Sequence, residues 1–130
     1  MRRCSMVSEM RHRGEIPAAR QGEVWFAALD PVEGRAQAGR RPVLIVSVDQ
    51  LGTGPSGLAI VTPLTSRDHG QRLHVSVEPP EGGVRSTSWI MPEQVRTVSR
   101  RRLVERWGQI RVTTLEQVIH RVHLLTRAPS

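Results

Sequence analysis

Two apolar runs constrain this chain more than anything else in it. "VLIVSV" covers residues 43–48 and "LAIVTPL" covers 58–64, and neither holds a charged side chain. A strand with one wet face alternates apolar and polar residues. A short uninterrupted run rich in Val and Ile reads instead as a strand buried on both faces. Between the two lies "DQLGTGPSG", a Gly/Pro/Ser loop. Further strands are expected at about 23–29, 72–78, 87–91 and 94–98. In "LHVSVE" the alternation puts Leu73, Val75 and Val77 on one face and His74 on the polar one. The period then changes. In "TTLEQVIHRVHLLTR", Leu115, Val118, Ile119, Val122 and Leu125 form a helical stripe, with Thr113 and Glu116 as a capping box at its start. Ser99 is expected to cap a short turn, "SRRRL". Strands followed by one helix argue for an α+β fold with a small, strongly curved sheet or barrel.

At 130 residues the chain fits one domain with a modest core. Residues 1–21 form a basic leader with five arginines, expected to be flexible, and the domain is expected to run from Gly22 to about residue 128. The net charge is +7, and all 19 Lys or Arg positions are arginine. Such a surplus favours a polyanion, an acidic protein or an anionic surface as partner, and arginine grips phosphate in a bidentate way. A single cysteine, Cys4, excludes an internal disulfide and a Cys-rich zinc site, and fits a reducing cytoplasm. No apolar run approaches the roughly 20 residues of a membrane span, and the N-terminal arginines have no signal-peptide core after them.

"GRAQAGRRPVLIVS", residues 34–47, looks at first like a phosphate loop of the Walker type. A true one follows a strand and opens a helix, so that backbone N–H groups and the helix dipole meet the phosphate. Here the glycines lead to Pro42 and an apolar strand, and Arg41 stands where a magnesium-binding hydroxyl belongs. An NTPase is excluded on that ground. What is left is a basic loop between strands that presents Arg35, Gln37, Arg40 and Arg41. Pro42 biases Arg41 toward an extended backbone.

Three blocks, "GEVWFAALDPVEGRAQAGRRPVLIVS", "AIVTPLTS" and "PEQVRTVSRRRLVERWGQI", together resemble the MazF/PemK family of toxin endoribonucleases over about residues 22–126. The resemblance implies a small SH3-like β-barrel (CcdB/MazF-like) with a C-terminal helix. It also implies a cytoplasmic homodimer, cleavage of single-stranded RNA at short sequences with no metal or other cofactor, and inhibition by an acidic, MazE-like antitoxin in a type II toxin–antitoxin pair. By the same resemblance Arg41 and Thr65 are the catalytic pair. RNA contacts fall on Glu33, Arg35, Gln37, Glu93, Gln94 and Arg96, with Arg40, Ser66 and Arg67 beside them. Two positions depart from the family pattern. Ala36 stands where an acid is common, and Ser47-Val48-Asp49 replaces a Ser-Asn-Asp. The first of these bears on which sequence is cut more than on how.

The chemistry also has to stand without the family. RNA supplies its own nucleophile, the 2′-OH, so the protein has to hold the phosphate, neutralise the charge of a five-coordinate transition state and manage two protons. A fixed arginine suits the charge. It is a poor base, being always protonated. His74 is the rival for that role, because histidine titrates near neutrality; read locally it is a surface histidine. Thr65, read locally, is a strand-end hydroxyl bonded to its own backbone. His120 and His123 lie i, i+3 on the helix without a third metal ligand. The few aromatics, Trp25, Phe26, Trp89 and Trp107, are expected in the core, with one of Trp25 and Phe26 at the surface. "SRRRLVER" reads as a solvated face or as a track for phosphates or an acidic antitoxin. The alternative to a nuclease is a non-enzymatic toxin of the CcdB kind, or an RNA-binding module, on the same barrel.

Overall fold

The computed structural model describes residues 15–29 and 39–129. Glu33, Arg35, Gln37 and residues 1–14 of the leader lie outside the described residues. Seven strands appear among those described: β1 (Glu23–Ala28), β2 (Arg40–Ile45), β3 (Leu58–Thr65), β4 (Val75–Val77), β5 (Ser88–Ile90), β6 (Arg96–Ser99) and β7 (Leu103–Gln109). A one-turn helix α1 (Asp49–Gly52) follows β2, and α2 (Val112–Thr126) ends the chain. The pairing is antiparallel throughout, in the order β4-β5-β3-β2-β1-β7, with β6 also on β3. This is a curled antiparallel sheet closed at one end by a helix, as expected from the order of elements.

The two apolar runs are buried on both faces through Val43–Ile45 and Val61–Leu64, but at their outer ends Val48 and Leu58 are exposed. One face of β1–β3 gives Trp25, Ala27, Val43, Ile45, Ala59 and Val61 to a core shared with Val98 and Leu103. The other gives Val24, Leu44 and Leu64 to a second core, closed by Val75, Val77, Ile90 and Val118 of α2. Each buried Val, Leu or Ile among them contributes about 1.5–3 kcal/mol by leaving water. The stripe on α2 is covered only in part: Leu115 and Val122 pack against this core, whereas Leu125 is 45% exposed. The first run also stops as a strand at Ile45. The N–H groups of Val46 and Ser47 both donate to the Ile60 carbonyl, at 2.9 and 3.2 Å, so the chain bulges there.

Several local expectations fail, each because a distant residue does the work. The capping box does not form. Arg111 flanks the helix, and Glu81 supplies the acceptor instead, taking the Arg111 N–H at 3.0 Å and the Thr114 hydroxyl at 2.6 Å. Strand β7 begins inside the charge run and extends beyond it. Arg106 in it is paired with Glu23 at 2.9 Å, and Trp107 stacks on Phe26 at 5.5 Å with Arg85 over its other face. Ser99 does cap the turn, accepting from the Arg101 N–H.

Neither reading of "SRRRLVER" survives for Arg100 or Arg102. Arg100 is buried and donates to the carbonyls of Pro17, Gly52 and Gly54. Burial lowers its pKa from the ordinary arginine value; the carbonyls serve its two terminal nitrogens, while Nε is buried without a hydrogen-bond partner among the described residues. Arg102 donates to Ala28 and Leu29, and Arg101 is exposed. The packed chain accordingly starts before Gly22. Pro17 and Ala19 are buried, and the Ala19 N–H donates to Gly52 at 3.0 Å.

Candidate active site

Arg40 and Arg41 belong to a strand and not to a loop. They open β2, paired with Ala28 and Ala27 of β1. On its other edge β2 meets β3 in the register Val43↔Pro63, Leu44↔Thr62, Ile45↔Val61. The ladder ends at Val43↔Pro63, two residues short of Arg41 on β2 and of Thr65 on β3, so both residues lie at the same end of this strand pair, 24 positions apart in the sequence.

Their surroundings suit them to different tasks. Arg41 is half-buried, and among the described residues its guanidinium makes no hydrogen bond or ion pair. The Thr65 hydroxyl accepts from the Arg67 N–H at 3.1 Å. The local reading of Thr65 as a hydroxyl bonded to its own backbone is therefore correct in geometry. The bond uses only an oxygen lone pair, which leaves the O–H free to donate. Thr65 also pairs with Trp89 of β5, a half-buried tryptophan whose place beside the site had no signal in the sequence beyond the short run "TSWI".

The other predicted contacts among the described residues lie on these strands or on segments that leave them. Ser66 and Arg67 leave Thr65 in an exposed loop, where Asp68 Oδ1 takes the Gly70 N–H. Glu93 and Gln94 lie in the 3₁₀ turn Pro92–Gln94 that leaves β5, and Gln94 Nε2 contacts Met91 Sδ at 3.7 Å. Arg96 is exposed on β6, opposite Val61 of β3. His74 departs from expectation. Its side chain is 4% exposed, with Nε2 at 2.8 Å from Glu93 Oε2. His69 of the exposed loop lies edge-on to it, with centroids 6.0 Å apart. Among the described residues no group of three or more His, Cys, Asp or Glu is arranged to hold a metal, and no helix is long and apolar enough to cross a membrane.

Residues 20–126 match the family model for the PemK-like, MazF-like toxin of type II toxin–antitoxin systems. The chain belongs to that family. It is also 37% identical over 89 residues to endoribonuclease EndoA of Bacillus subtilis (strain 168), covering 67% of this chain and 76% of that protein. The crystal structure of MazF from Deinococcus radiodurans superposes with a TM-score of 0.69 at 26% identity, over 84% of this chain and 96% of that one. The fold is shared as well with a mycobacterial endoribonuclease solved with its cognate antitoxin, at 17% identity and a TM-score of 0.68, over 88% of this chain and 99% of that one. Among these PemK/MazF-type toxins the helix-closed, curled sheet is common ground, and Arg41 and Thr65 lie well inside the matched span.

Proposed function

We propose that this toxin is an endoribonuclease that cuts single-stranded RNA through Arg41 and Thr65. It would act as a cytoplasmic homodimer restrained by an acidic antitoxin. The observation that supports the reading is the strand pair β2–β3, which has at one end Arg41, without a partner among the described residues, and Thr65, whose hydroxyl oxygen already accepts from the Arg67 N–H. In the reaction the 2′-oxygen forms a bond to the adjacent phosphorus and the bond to the 5′-oxygen breaks. The products are a 2′,3′-cyclic phosphate and a 5′-OH, with one proton lost from the 2′-OH and one gained by the leaving oxygen. Arg41 holds the charge that builds on the phosphorane, and Thr65 donates a hydrogen bond to a phosphate oxygen. Because the nucleophile is internal to the substrate, no metal-bound water enters.

The test is single-turnover cleavage of a labelled oligonucleotide in EDTA, with analysis of the ends. Cyclic-phosphate and 5′-OH ends are expected. Arg41→Ala should cost about 10²–10³ in rate, the range for loss of one oxyanion donor, and Thr65→Ala somewhat less. Strict dependence on magnesium, 5′-phosphate products or an unimpaired Arg41→Ala would overturn the assignment.

A further inference from the structure

The bond between His74 and Glu93 serves neither the phosphate chemistry nor the two cores. We propose that His74 is a positioning residue. Its Nε2–H fixes the Glu93 carboxylate so that the other carboxylate oxygen accepts from the amino group of an RNA base. The pair then selects an amino-bearing base over uracil at one position of the recognised sequence. The inference rests on the reading of the chain as an RNA nuclease.

The chemistry of the two groups decides their roles. A carboxylate only accepts, so the 2.8 Å contact puts the histidine proton on Nε2. The other nitrogen, Nδ1, is enclosed and has no hydrogen-bond partner among the described residues. A general base needs a lone pair within reach of the substrate; here one nitrogen is occupied and the other sealed. Glu93 is different. Its side chain is 32% exposed, and the bond to His74 uses Oε2 alone. Carboxylates read the exocyclic amino group of cytosine in this way.

The connections around the pair explain why the bond matters near the site. His74 ends the loop that starts at Thr65, its own N–H held by the Gln71 carbonyl at 3.1 Å. Glu93 lies just beyond β5, whose Trp89 pairs with Thr65 on one side and with Ser76 of β4 on the other. One side-chain bond therefore ties together the two segments that leave the neighbourhood of Thr65. A carboxylate on a free turn samples several rotamers, and a donor held by packing removes that freedom before RNA arrives.

The experiment is cleavage of a randomised RNA pool by the full chain, with sequencing of the cut ends. It compares wild type, His74→Phe, His74→Gln, Glu93→Ala and the Phe/Ala double variant. Phenylalanine keeps the ring and loses the donor; glutamine loses the ring and keeps a donor. Wild type should prefer an amino-bearing base at one position. His74→Phe and Glu93→Ala should weaken that preference roughly tenfold. His74→Gln should restore most of it, and His74→Phe should add nothing to Glu93→Ala. The shape of the cleavage pH profile should persist in His74→Phe. Preference kept in Phe and lost in Gln would reduce His74 to a packing residue and overturn the proposal. So would loss of the acidic limb of the pH profile in both, which would make His74 the base. A wild-type protein that left the pool intact would overturn the nuclease reading itself, and this one with it.

Discussion

Replacing Arg100 with methionine separates a buried structural arginine from a surface one in the same run. The guanidinium serves three carbonyls, of Pro17, Gly52 and Gly54. Gly52 keeps a second donor, the Ala19 N–H, so two carbonyls lose theirs. Each buried acceptor left unmade costs about 1–3 kcal/mol. Against that, methionine refills much of the side-chain volume and removes the desolvation cost of a buried cation. A net loss of about 2–4 kcal/mol is expected. In a chain of this length about 1 kcal/mol moves Tm by roughly 3–5 °C, so the variant should melt about 6–20 °C lower. Urea unfolding followed by circular dichroism measures the loss directly, with a lower midpoint at an unchanged slope. Arg101→Ala, at an exposed neighbour, should stay within about 0.5 kcal/mol of wild type. If Arg100→Met unfolded with the wild-type midpoint, or Arg101→Ala cost as much, the clamp would carry no stability.

Gly52→Ala should be more severe than an ordinary helix substitution, because its Cβ would lie 1.8 Å from the Ala19 carbonyl oxygen. Soluble expression and the unfolding midpoint check this, and wild-type stability would refute it. Glu81→Ala should cost about 1–2 kcal/mol by removing the acceptor at the start of α2, in the upper range of helix-cap deletions; denaturant melts read it out. Arg35→Ala should weaken binding of a non-cleavable 2′-deoxy substrate while sparing single-turnover chemistry, so a large loss of rate at saturating enzyme would count against a binding role. Antitoxin should block cleavage with an affinity that falls as salt rises. A complex that still cuts RNA would show that the two sites do not overlap.

The sequence discloses what is carried by neighbours and hides what is carried across the fold. The runs at 43–48 and 58–64 announce a doubly covered pair of strands because every residue needed for that conclusion is in the run itself. Arg41 and Thr65 are singled out by family resemblance, but only the pairing of β2 with β3 brings them to the same end of the sheet. Strand β7 is hidden because its members are held by distant residues: Arg106 pairs with Glu23, and the Trp107 ring stacks on Phe26. Arg100 looks like its neighbours until the segment around Pro17 folds over it. His74 obeys the alternation of its strand, yet Glu93, 19 residues on, makes a buried position tolerable. The acceptor for α2 comes from Glu81, 30 residues before Arg111. No local pattern contains such partners.

Strand β3 pairs with β2, β5 and β6. Any change that shifts its backbone disturbs three ladders at once, whereas the segments that leave its end and that of β5 touch few of those bonds. Over generations the two parts of the molecule are therefore under unequal constraint. Substitutions in the strand ends that carry Arg41 and Thr65 should cost more than substitutions in the turns around them. On the assignment proposed above, a lineage of such toxins could exchange one target word for another while the cutting step stayed fixed. His74 and Glu93 would have to change together, since each turn would have lost its counterpart in the other.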